Sequence, residues 1–421
     1  MKFSLEYSST AFFLDLLALS LLLLPIYLVA SGTRTRQVTL ILSGLYLLLF
    51  IAPRLALLSL FFWLLVFAMQ RLIANLENKA QEKPDISSLV LFVFIAAVLG
   101  TLTPMLWWKT QEWEFVKLIN LSGNSALSLF SRTLWEIDLA RNIIMPVGLS
   151  FATFRAVDLL VKTYIGKFRA MSLREVFYYG FFPPVLVVGP IIEYEEIKEG
   201  ASGKLPAPKS DDFLAGALRT AWGFFKVLFL ASLLQPSAQI LDTFNTQSVS
   251  TIWIYLFVYT WFFYINFSGY SDIAIGIARL YGFKLKENFN NPFFARNIIE
   301  FWSSWHMSLY RFARRNVFVP LGGYRENRHL YALAGTMMTI ALWHALSASM
   351  VTFGIYHTIG LILHRLFTKW KDRNNISLDH PAAQLACLLF TYLFVMLSFP
   401  LIVLPLGTAL EFYGSMFGMG G

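Results

Sequence analysis

Apolar runs long enough to cross a bilayer recur along this chain. Three of them read AFFLDLLALSLLLLPIYLVASG (Ala11 to Gly32), VSTIWIYLFVYTWFFYINFSG (Val249 to Gly269) and QLACLLFTYLFVMLSFPLIVLPLG (Gln384 to Gly407). A helix needs roughly 20 such residues to span hydrocarbon. Charged residues make up only 14% of the chain, against about 25% in a soluble domain. The sequence therefore specifies an all-α polytopic membrane protein. The first run lacks a small-residue cleavage site, and its arginines, Arg34 and Arg36, follow it, so it reads as a retained span and not a signal peptide.

Runs of near-spanning length predict about ten or eleven transmembrane helices. They lie at Ala11 to Ser31, Val38 to Ala52, Leu55 to Met69, Leu89 to Trp108, Ile143 to Val161, Phe213 to Leu234, Ile252 to Phe267, Leu330 to Leu346, Val351 to Leu366 and Leu385 to Leu404. Pro53-Arg54 reads as a tight turn between the second and third. Trp108 to Asn142 is too charged to span and is expected to lie at the interface. Val176 to Tyr194 carries Pro183-Pro184 and Gly189-Pro190 and cannot be one regular helix. It reads as a broken or re-entrant segment, tolerable only where protein or a wet cavity surrounds it. Arg155 and Asp158 place charge inside an expected span, where such groups face protein or water. Glu193 to Asp212 is the clear soluble loop. With no internal repeat, residues 1–421 read as a single integral domain.

The net charge of +9 sits in short loops, as the positive-inside rule expects. This points to topology and not to nucleic acid. The densest cluster, Arg311, Arg314, Arg315, Arg325 and Arg328, marks a cytoplasmic face. The only cysteine, Cys387, lies in an apolar run and has no partner for an internal disulfide.

Of six histidines, His329, His364 and His380 lie in polar or interfacial sequence, whereas His306, His344 and His357 lie in apolar surroundings. Polar groups at membrane depth are costly unless paired, so they carry a functional expectation. His344 follows Leu330 by about 14 residues, or about 21 Å along a helix. A bond to a neighbouring helix explains it as well as a function does. No HExxH and no histidine pair at i, i+4 supports zinc, and no G-x-S-x-G supports a serine hydrolase. In EFWSSWHMSLYRFARRNVFVPLGG (Glu300 to Gly323), helical spacing would set Trp302, His306 and Tyr310 on one face. Arg311, Arg314 and Arg315 would extend that helix toward water. Such a basic end suits a phosphate-bearing ligand; contact with lipid headgroups, together with topology, explains the arginines somewhat better.

Several blocks together resemble the membrane-bound O-acyltransferase family, and most closely its bacterial branch that acylates alginate and teichoic acid. They are PVGLSFATFRAVDLLVKTYIG (Pro146 to Gly166), FFPPVLVVGPI (Phe181 to Ile191), the stretch from Phe267 to Leu309, PLGG (Pro320 to Gly323) and LWHA (Leu342 to Ala345). The core of the resemblance is residues 267–366. It implies a ring of membrane helices around a thinned centre with a tunnel. It maps the family's active histidine onto His344 and its second histidine onto His306. It also implies substrate-binding roles for Trp302, Trp305, Trp343, Asn291, Arg311, Arg314 and Arg315. Ala345 stands where the family commonly has Gly, and Ser304 where it often has Arg.

The function implied is acyl transfer, with acetyl favoured, from a cytoplasmic thioester to hydroxyls outside the cytoplasm. The donor would be acetyl-CoA or a phosphopantetheinylated carrier protein, and no metal is expected. Partners would be an extracytoplasmic polysaccharide or a periplasmic or extracellular acyltransferase, a small acyl carrier protein, and the lipid bilayer of the bacterial cytoplasmic membrane. D-alanyl transfer to teichoic acid is one alternative. A transporter or flippase of glycan intermediates is an alternative of another class, in which the intramembrane ionisable groups would line a path.

Overall fold

The computed structural model of the protein describes residues 10–29, 32–51, 53–111, 148–186, 188–201 and 209–419. Every regular element among the described residues is helical. The chain begins with α1 (Thr10–Val29), α2 (Thr33–Ile51), α3 (Pro53–Glu82) and α4 (Ser87–Gln111). The interfacial stretch expected up to Asn142 lies outside the described residues from 112 onward. Then follow α5 (Leu149–Tyr164), α6 (Leu173–Gly180), α7 (Tyr194–Ala201), α8 (Ser210–Phe225) and α9 (Val249–Leu280). The remainder holds α10 (Ile298–Ser304), α11 (Met307–Ala313), α12 (His329–His344), α13 (Ala348–Arg373), α14 (Pro381–Val403) and α15 (Leu406–Met416).

Six helical segments among the described residues are long and apolar enough to cross a membrane: 56–82, 84–106, 210–246, 249–280, 348–373 and 381–403. The sequence expects about ten or eleven spans over the whole chain, part of which lies outside the described residues. The other expected spans are helical where described, but shorter or less apolar. Helices α5 and α12 have 16 residues each, about 24 Å of rise against roughly 30 Å of hydrocarbon. Boundaries shift as well. Helix α3 runs on through RLIANLENKAQE to Glu82, because those residues are good helix formers even though they are polar. Pro53 and Arg54, expected as the turn itself, instead open α3, with proline at the first helical position, which needs no N–H donor. Large apolar side chains such as Phe61, Phe92 and Leu99 face outward, an arrangement suited to lipid and costly in water.

The described residues form two compact units, one from 5–220 with 272–286 and the other from 221–271 with 287–421. In the first, α3, α4 and α5 pack around Ile73, Ala97 and Leu160. Its central feature is the broken segment, found as expected. A capping box between Ser172 and Glu175 starts α6, and Pro183-Pro184 then force a short 3₁₀ turn before α7. Gly180 lies flat on the Trp63 indole, where a Cβ would collide with the ring.

The buried backbone at this break is answered by charge. The guanidinium of Arg155 donates to the carbonyls of Tyr179 (2.9 Å) and Gly180 (3.3 Å) at the end of α6. Asp158 lies one turn further along α5 and meets Lys162 at 2.9 Å. The Lys162 ammonium also reaches Glu193 (2.8 Å) and Glu195 (2.7 Å) at the start of α7. These three carboxylates are close enough to hold a cation, and Lys162, only 1% exposed, supplies it. Burial works against ionisation of Glu195, but hydrogen bonds from Lys162 and Lys167 outweigh it and hold the carboxyl below its ordinary value.

The candidate histidine site

The second unit contains every candidate site residue. The helix expected through Glu300–Arg315 is in fact two. Helix α10 ends at Ser304, Trp305 is extended, and His306 adopts φ 44° and ψ 53° in the left-handed region. That conformation is uncommon for any residue but Gly and costs of order 1–3 kcal/mol. Trp302, His306 and Tyr310 therefore do not share one helical face, which corrects the sequence reading. The imidazole supplies the local compensation: its Nδ1 accepts the Leu309 N–H at 3.3 Å and caps α11. The His306 carbonyl accepts the Tyr310 N–H at 3.1 Å.

The core behind this corner is a buried polar chain. The Asn288 carbonyl accepts the Met307 N–H at 2.8 Å. Its side-chain Oδ1 accepts from the Ser308 N–H (3.2 Å) and the Ser308 hydroxyl (2.8 Å). Its Nδ2 donates to the Ser271 hydroxyl at 2.9 Å. Asn291, to which the family resemblance gives a substrate-binding role, begins the 3₁₀ turn Pro292–Phe294 in a left-handed conformation and is exposed. Asn288, 0% exposed, is the asparagine built against His306, and no local sequence signal separates the two.

His344 is the last residue of α12, since Ala345 is extended. It is half-buried and stands at the C-terminal end of that helix. The link to α13 is short: Ser347 caps the next helix by accepting the Met350 N–H at 3.2 Å. Trp343 joins the two histidines, with ring centroids 6.2 Å from His306 and 4.4 Å from His344. Phe267 packs edge-on against His306 at 4.9 Å. Burial, followed by the neighbouring His344, drives the His306 imidazole down to about 3, and Arg311 adds to the effect. His306 therefore stays neutral at physiological pH.

The other candidates disperse. Trp302 is buried against His357. Trp305 instead enters an aromatic cluster with Phe263, Phe289, Phe293, Phe301 and Phe399. Arg311 donates to the Glu287 carbonyl at 3.3 Å. Arg314 is exposed and donates to the Tyr324 hydroxyl at 3.0 and 2.6 Å. Arg314 and Arg315 open a π-helical turn, Arg314–Phe318, a distortion frequent at functional sites.

A helical membrane protein with two histidines brought together across a tryptophan, one neutral and buried and the other at a helix end, has the parts of an acid–base site beside apolar walls. The chain belongs to the membrane-bound O-acyltransferase family, MBOAT, whose family model matches residues 46–407. It is 30% identical over 230 residues to the probable alginate O-acetylase AlgI of Pseudomonas aeruginosa, covering 53% of this chain and 43% of that one. It is 25% identical over 294 residues to the teichoic acid D-alanyltransferase of Bacillus subtilis, covering 65% and 74%. With the peptidoglycan O-acetyltransferase of Helicobacter pylori it shares 27% over 258 residues, or 54% and 49%. The matched region spans about half the length of the alginate relatives.

Proposed function

We propose that this protein transfers an acyl group, acetyl in the favoured case, from a thioester on the cytoplasmic side of the bacterial cytoplasmic membrane to a hydroxyl outside. The acceptor is a polysaccharide or a partner that passes the acyl group on to one. The observation that carries this reading is the meeting of His306 and His344 across Trp343. His344 acts as general base, taking the hydroxyl proton as the oxygen attacks the thioester carbonyl. A C–O bond forms, the C–S bond breaks, and the thiolate leaves with a proton. His306 polarises the carbonyl oxygen. Arg311, Arg314 and Arg315 steer the phosphate-bearing donor, and Trp302, Trp305 and Trp343 belong to the walls along which it passes.

Loss of a positioned base costs typically about 10²- to 10⁴-fold. His344→Ala and His344→Gln are expected to lose that much acetyl-CoA consumption in detergent, and to lose the acyl esters of the envelope polysaccharide. Both variants are expected to reach the membrane in normal amount and elute as one species. Near-normal turnover by the Gln variant overturns the assignment. A transporter of glycan intermediates would consume no thioester at all. The span shared with the D-alanyltransferase, 74% of that protein, supports a second reading: a D-alanyl thioester on a carrier protein replaces acetyl-CoA as the substrate consumed.

A further inference from the structure

We infer that Asn288 is the positioning residue of the histidine pair: it holds His306 in one orientation and one tautomer, with Nε2–H as the ring's donor. The inference rests on the acyl-transfer reading for its chemistry, but its structural half stands on hydrogen bonds alone.

A backbone N–H can only donate. Since the Leu309 N–H points at His306 Nδ1, that nitrogen carries the lone pair, and the proton of the neutral ring resides on Nε2. Such a ring takes no proton at Nδ1 without breaking the cap of α11. It is therefore a hydrogen-bond donor, not a second base. A donor fixed before the reaction suits the oxygen on which negative charge develops when a thioester carbonyl is attacked. The two histidines then divide the work: His344 removes the proton, and His306 stabilises the oxyanion.

Asn288 makes this arrangement rigid. With its carbonyl and its Oδ1 it binds three donors on Met307 and Ser308, the two residues directly after the left-handed corner. Its Nδ2 is tied in turn to Ser271 on α9. Ser308 sits between the amide and the imidazole, its hydroxyl 3.3 Å from His306 Nδ1. Only an uncharged side chain with both an acceptor and a donor fills this place. Leucine would leave the Ser308 and Ser271 groups without it, and aspartate would keep the acceptor while losing the donor to Ser271. A strained corner persists only when its surroundings over-determine it, and here one asparagine supplies three of those hydrogen bonds.

Two readouts test the inference. The first needs no turnover. Nitrogen-15 spectra of histidine-labelled protein in detergent, with His306→Gln to assign the signal, report the tautomer directly. Wild type is expected to show the Nε2–H form, and Asn288→Ala a mixture of the two. An Nδ1–H signal in wild type overturns the inference, as does an unchanged pure tautomer in Asn288→Ala. The second is kinetic, with acetyl-CoA as donor. Misplacing a reacting group by about 1 Å can cost about 10²-fold, so Asn288→Ala is expected to lower kcat by up to about that factor with little change in KM. In a His306→Gln background the same change is expected to cost almost nothing, because residues acting through one another are not additive. Additive losses overturn the inference. Should alanine at 288 prevent folding, Ser271→Ala severs only the far end of the chain and is expected to show the same pattern at smaller amplitude. If wild type consumes neither acetyl-CoA nor a D-alanyl carrier-protein thioester, the acyl-transfer reading falls while the spectra still decide the positioning role.

Discussion

The indole of Trp302 and the imidazole of His357 meet edge to face with ring centroids 5.1 Å apart. The Trp302 N–H and both His357 nitrogens are buried without a hydrogen-bond partner among the described residues. An unsatisfied buried polar group costs about 1–3 kcal/mol. His357→Phe keeps the ring stack with Phe353, Tyr356 and Phe394 and removes that cost. Its melting temperature in detergent is expected to equal or exceed that of wild type. A fall of several degrees would show that the imidazole has a polar partner in the working protein.

Arg314 is exposed, and its guanidinium donates to a surface tyrosine hydroxyl, that of Tyr324. Exposed charged contacts contribute about 0–1 kcal/mol. The double change Arg314→Gln with Arg315→Gln is expected to leave expression and melting unaltered but to raise the KM for acetyl-CoA. An unchanged KM would leave these arginines with a topological role only.

Lys162→Met would leave Asp158, Glu193 and Glu195 facing one another without the ammonium. Removing one partner of a buried ion pair costs about 3–5 kcal/mol. The pH dependence should invert. In wild type the folded Glu195 titrates below its unfolded value. Its stabilising contribution is therefore complete above the unfolded value and lost as pH falls through the folded one. In the variant, repulsion among the carboxylates makes protonation favourable, so stability should rise on acidification. Melting curves from pH 7 down to 4 check the sign, and parallel curves for the two proteins would refute it.

The loop around Arg325 and Arg328 is exposed, and its charge argues for the cytoplasmic side. A cysteine at Asn327, in a Cys387→Ser background, is expected to resist an impermeant thiol reagent applied to intact cells and to react in inverted vesicles. Labelling from outside reverses the proposed orientation.

Hydrophobic run length and proline placement made the helices and the break at Pro183-Pro184 legible, since both act locally. The pairing of charges was not legible. Arg155 and Asp158 are neighbours in sequence, yet the arginine serves carbonyls at Tyr179 and Gly180, and the aspartate meets a lysine shared with Glu193 and Glu195. The two histidines could be named, but not their geometry. Counting four residues from Trp302 to His306 assumes an unbroken helix. The left-handed corner is held by Asn288 and Ser271, both distant in sequence, and no local propensity encodes it. Asn288 itself was indistinguishable from its neighbours Asn290 and Asn291 until burial separated them.

The link after His344 is only Ala345, Leu346 and Ser347, with Ser347 already engaged as the cap of α13. A residue on a long loop can swing toward its substrate; one clamped between two packed helices cannot. The proposed base has no lid to travel with. Donor and acceptor must each arrive at a stationary nitrogen, so any gating of the reaction falls to the paths that lead there and not to the base itself.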